Sequence, residues 1–225
     1  MSFSILSLLI LMALHASPSL SDQSTVSAYA DSLYAGKHYL QAIEAYTKLM
    51  DGENVDYALY KRGMAKTELA RFCVSAYQFD KYPENYRKRY GDKYETYLIW
   101  LKYIEEHPGD FGYFEPGALH VYHGADFRTV ISDYPESEYV DDSAYAILLK
   151  SHYRDWEGEY SEMLPYIRRC KTFLDSYPES ELCDKVVDLC IGDYSDIIEY
   201  SWELADSLKT HYQKELQDFK KLWKK

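Results

Sequence analysis

Ala58-Leu59-Tyr60-Lys61-Arg62-Gly63-Met64-Ala65-Lys66 sets small residues among large ones at helical spacing, and its pattern returns along the chain. Leu59, Gly63, Phe72, Ser75 and Phe79 stand 33 residues after Val26, Ala30, Tyr39, Ala42 and Tyr46. Ile147, Ser151, Tyr160, Met163 and Ile167 keep the same internal spacing. A period near 33, with small residues where two helices cross and aromatics beside them, marks stacked helix pairs. The pattern predicts antiparallel pairs at 27–37 with 39–50, turning near Gly36, and at 56–70 with 72–82. The fold class expected is all-α: an α-solenoid of antiparallel helix pairs.

These residues resemble the tetratricopeptide repeat, most closely at residues 58–66. That family holds proteins or peptides on the face formed by the first helix of each pair. The resemblance therefore implies a non-enzymatic binding scaffold without a cofactor. Tyr29, Tyr34 and Lys37 in the first pair, with Tyr60, Arg62 and Lys66 in the second, are the contact positions it suggests.

A second signature lies at the helix ends. Thr129, Tyr134, Pro135, Glu136, Ser137, Glu138 and Asp141 recur 43 residues on as Thr172, Tyr177, Pro178, Glu179, Ser180, Glu181 and Asp184. Proline forces its predecessor out of the α region, so each helix should end at the tyrosine. The serine is placed to cap the next helix, whose positive end the following acids favour. This ending is similar to envelope repeat proteins: the helical lipoprotein of the outer-membrane β-barrel assembly machinery, and the cell-division coordinator that works with Tol–Pal. The lipidated-cysteine motif of the former is missing here.

The chain has 225 residues, 47% of them apolar, which allows a substantial core. A net charge of −12 argues against nucleic acid, which needs a broad basic face. Twenty-five tyrosines suit half-buried positions between helices as well as binding surfaces. Residues 3–14 are almost unbroken apolar sequence, too short to span a bilayer, and read as the core of a secretory signal peptide over 1–21. Cleavage is expected after Ala16 or after Ser21, leaving a periplasmic or secreted protein. Export permits disulfides. Cys183 and Cys190 are too far apart along one helix to pair, whereas Cys170 has either within reach across a hairpin; the alternative is that all serve as small buried apolar groups.

The repeat covers 22–83 and returns over 127–207, with an irregular helical insertion at 84–126. Within the insertion, 94–106 reads as a buried helix, and 108–117 as an aromatic loop serving either as a binding element or as a plug. His120, His123 and Asp126 would share one face if that segment were helical, which sets up the rival reading: an enzyme using a metal or paired carboxylates in 108–126. A third reading is a structural spacer in an envelope complex. Residues 208–225 form an amphipathic helix with apolar Leu208, Tyr212, Leu216, Phe219 and Trp223 opposed by lysines, expected to pack on the last repeat or to touch a membrane surface.

Overall fold

A computed structural model describes residues 23–73, 83–114, 119–151, 159–201 and 204–223. The signal segment and most of the helix expected at 72–82 lie outside them. The described residues are overwhelmingly helical, with one two-stranded sheet, so the all-α class holds.

Helices α1 (Gln23–Ala35) and α2 (Tyr39–Lys48) form the first pair, and α3 runs from Val55 to Phe72. Then come α4 (Pro83–Tyr90), α5 (Tyr94–Glu106), and the hairpin strands β1 (Phe111–Phe114) and β2 (Leu119–Tyr122). The helical series resumes with α6 (Ala125–Asp133), α7 (Val140–Ser151), α8 (Tyr160–Ser176), α9 (Cys183–Tyr200) and α10 (Asp206–Trp223). Each of α1, α2, α3, α6, α7, α8, α9 and α10 packs on the next. Helices α3 and α6, neighbours in this packing, are separated in sequence by α4, α5 and the hairpin among the described residues.

That detour changes the reading of the second pair. Phe72 ends α3 instead of opening a partner helix. Gly63 is buried, and a methyl group on it would stand 2.7 Å from the Phe127 ring of α6. The close crossing predicted from Gly63 exists, but its partner comes from 64 residues away. Lys37, and not Gly36, takes the left-handed conformation that turns α1 into α2 (φ 61°).

Two apolar cores result. One gathers Tyr46, Leu69, Trp100, Phe111, Tyr122 and Phe127; the other gathers Phe173, Leu174, Val186, Tyr194 and Ile197. Helix α7 joins them, with Ile147 packed against the first and Leu148 within the second. Helix α5 falls where expected, though Ile99 is 58% exposed, so the helix is buried on one side only.

The Tyr-Pro turns obey a shared rule. Tyr134 and Tyr177 close α6 and α8 with nearly equal torsions, donating to the Val130 and Phe173 carbonyls. The serines do not cap the following helices. Ser137 Oγ accepts from the Tyr139 amide (3.1 Å) and donates to Asp56 at the start of α3 (2.6 Å). Ser180 Oγ accepts from the Leu182 amide (3.1 Å) and donates to Asp141 at the start of α7 (2.6 Å). Gln23, 33 residues before Asp56, similarly accepts from the Glu53 amide in the turn before α3. Each turn is pinned to the start of a helix one pair earlier.

Gly63→Ala sets a gain of about 1 kcal/mol in helix propensity against overpacking of about 1–3 kcal/mol. A net loss of about 1 kcal/mol is expected by denaturant unfolding. In a Phe127→Leu background the same substitution should become neutral or stabilising, because the ring it strikes is gone.

Candidate functional site

Helices α1, α3, α7 and α9 occupy equivalent places in the series, and a strip of tyrosines and charges runs across them from Asp31 of α1 to Lys185 of α9. Asp31 of α1 accepts hydrogen bonds from the Tyr46 hydroxyl (2.7 Å) and the Tyr57 hydroxyl (2.6 Å), with Lys61 Nζ at 3.9 Å. Burial, then the Asp31 hydrogen bond, pushes both phenols above the ordinary tyrosine range. Tyr139 lies against Tyr57 at 5.6 Å and stacks on Tyr60 at 5.2 Å. Asp142 follows on α7, its carboxyl raised by burial and by neighbouring Asp141. Lys185 of α9 then sits over the Tyr145 ring at 6.0 Å. Most of these groups are half-buried, and tyrosines predominate among them, with carboxylates and lysines both present. Such a strip offers flat ring faces and carboxylates but no nucleophile paired with a base.

The second constellation is interior. Arg62 grips Asp126 with two nitrogens, at 2.6 and 3.2 Å, while its third reaches the Thr47 hydroxyl at 3.3 Å. Lys66, only 5% exposed, pairs with Asp110 at 2.8 Å and Asp126 at 3.1 Å, and lies 5.2 Å from the centre of the Tyr122 ring. The Asp126 amide donates to the Tyr122 hydroxyl (2.6 Å). Burial pushes the Asp126 carboxyl up, but the Arg62 hydrogen bonds and the Lys66 charge outweigh it and hold the group below the ordinary carboxylate range. This network locks the hairpin insertion between α3 and α6.

The six suggested contact positions therefore divide. Tyr29 and Lys37 are exposed on and just after α1, and Tyr34 is half-buried against Tyr39. Tyr60 belongs to the strip. Arg62 and Lys66 are turned inward and consumed by carboxylates. Sequence reading missed Asp31, Tyr57, Tyr139 and Asp142, which stand at different places in or just before their helices and share no spacing that could have announced them.

His120, His123 and Asp126 do not share a helical face: they stand on β2, on the loop after it and on α6. The Asp126 carboxylate is already engaged by two cations. Among the described residues no three His, Cys, Asp or Glu side chains converge to hold a metal. All four cysteines are free. Cys73, Cys170 and Cys190 are buried, the Cys73 thiol being pushed up to about 12 by burial, and Cys183 donates to the Tyr177 carbonyl at 3.2 Å. No described helix is long and apolar enough to cross a membrane.

No protein-family model matches the chain, and comparison with curated proteins finds no relative.

A carboxyl with a lowered folded pKa stabilises fully above the unfolded value, near 4, and loses that contribution as pH falls through the folded one. Urea midpoints measured between about pH 5 and 2 should therefore fall steeply in the wild type. Asp126→Asn should flatten this slope and cost about 3 kcal/mol at pH 7, since it strands two buried cations.

Proposed function

We propose that this chain is an exported, non-enzymatic binding protein, built as a tetratricopeptide-like solenoid, that holds a basic extended segment of a partner protein. The observation that carries the reading is the strip running from Asp31 through Tyr57, Tyr139 and Asp142 to Lys185. It crosses the first helices of four successive pairs, the face on which stacked helix pairs hold their ligands. Half-buried tyrosines present large contact area at low entropic cost, and the Asp142 carboxyl, raised by burial and by Asp141, gains from an incoming cation. Lysine and arginine with interspersed aromatics are the complement of this surface. The apolar run at 3–14 supports delivery to the envelope or beyond.

Selection from a random displayed peptide library should enrich Lys/Arg-rich sequences, and their affinity should fall as salt rises. A Tyr139→Ala/Asp142→Asn double variant should weaken the selected peptides at least tenfold, while Lys214→Ala on α10 should not. Enrichment of acidic or purely apolar peptides, or equal binding by the double variant, would overturn the reading.

A further inference from the structure

Charge accounting around the hairpin insertion leaves a remainder. Arg62 and Lys66 are balanced by Asp110 and Asp126. Two further cations, Arg128 of α6 and Lys150 of α7, have no carboxylate partner among the described residues.

The geometry brings them to one place. Helices α6 and α7 pack together, so the start of α6 lies beside the last turn of α7. Arg128 Nη1 folds back to donate to the His123 carbonyl at 2.7 Å, leaving its other donors available. That same Nη1 and Ile147 Cγ1, one turn before Lys150, both lie 3.7 Å from where a side chain on Gly124 would begin. Gly124 opens α6 in a left-handed conformation, φ 81°, and the Tyr122 hydroxyl takes the Asp126 amide of its first turn. The His123 ring lies over Gly112, where any Cβ would meet its Cε1 at 2.6 Å, and it hydrogen-bonds the Phe111 backbone. Burial first, then Arg128, drives the Lys150 amine down to about 8; burial first, then Lys150 and Arg128, lowers the His123 imidazole. These cations weaken one another, and the Asp110 carboxylate offsets only part of this at His123.

We infer that Arg128, Lys150 and His123, gathered beside the start of α6, form a binding site for an oxyanion, the phosphate or carboxylate group of a ligand. The guanidinium supplies a planar donor fork, the ammonium a point charge, and the imidazole a second donor once the anion raises its proton affinity. A cation in the last turn of a helix is also what the helix dipole favours, but that accounts for Lys150 alone and not for Arg128 and His123 beside it. The site is separate from the tyrosine strip: Lys150 lies about 12 Å along α7 from Asp142. It stands whether or not the strip binds a basic segment.

The test is a titration of the full chain with inorganic phosphate, and separately with acetate, against sodium chloride at matched ionic strength. The His123 ring protons and thermal unfolding are followed together. Phosphate should move the His123 signal saturably and raise its pKa, and should raise the unfolding temperature. Lys150→Gln and Arg128→Gln should each weaken this at least tenfold, the cost of one lost charge-assisted hydrogen bond; Lys150→Arg should retain it. Saturation by phosphate alone assigns a phosphoryl ligand, and saturation by both anions extends the site to carboxylates. A wild-type response no greater than that to chloride would overturn the inference. So would an equal response in folded Lys150→Gln and Arg128→Gln.

Discussion

A carboxylate taken out of water must be neutralised, and the middle of this molecule is organised around that requirement at Asp126. The two cations that meet it, Arg62 and Lys66, both project from α3. Helix α6, which carries Asp126, is therefore drawn against α3 although some fifty residues separate them in sequence. Asp110 adds the hairpin to the same knot. Apolar packing alone would tolerate several placements of Phe127 against Gly63, whereas a bidentate arginine tolerates few. The ion network contributes registry more than net stability, in keeping with the usual balance between Coulomb gain and desolvation.

With that registry set, the repeat proceeds on both sides by one local rule. A turn sends a polar group back to the start of the helix one pair earlier: Glu53 amide to Gln23, Ser137 to Asp56, Ser180 to Asp141. Each carboxylate also sits in the first turn of its helix, where the dipole favours it. Asp184 holds the corresponding place on α9 and is exposed, with no such turn arriving. Helix α10 agrees. It packs Tyr212 and Phe219 toward α9, while Thr210, Gln213, Lys214, Gln217 and Lys221 stay in water.

The amino-acid pattern made the helices legible where the period is local. Ala30 and Ala42 lie fully buried in the first pair, and α5 and α10 fall close to their apolar spacing. It misplaced Phe72, which ends α3; the rest of the partner helix expected at 72–82 lies outside the described residues. Gly63 still needed a close neighbour, and α6 supplied it. The hairpin was hidden for a related reason: Phe111 and Tyr122 are buried by contacts with Tyr103 and Phe127, not by an alternation long enough to announce a strand. Spacing put Arg62 and Lys66 on one face of a helix but could not say that the face turns inward, because the carboxylates that claim them lie 44 to 64 residues away.

The distribution of charge follows from the same arrangement. The interior knot uses cations on α3 to hold acids brought by the insertion, and this removes Arg62 and Lys66 from any surface role. What remains outward on α1, α3 and α7 includes the tyrosines and carboxylates of the strip, while Arg128 and Lys150 stand near the start of α6. A tyrosine strip and a cationic corner at opposite ends of α7 are thus consequences of one folding constraint. Neither could be inferred from a net charge of −12, which averages over both. Binding chemistry in this chain is legible only after each buried ion has been matched with its partner, because what is left unmatched is what a ligand can meet.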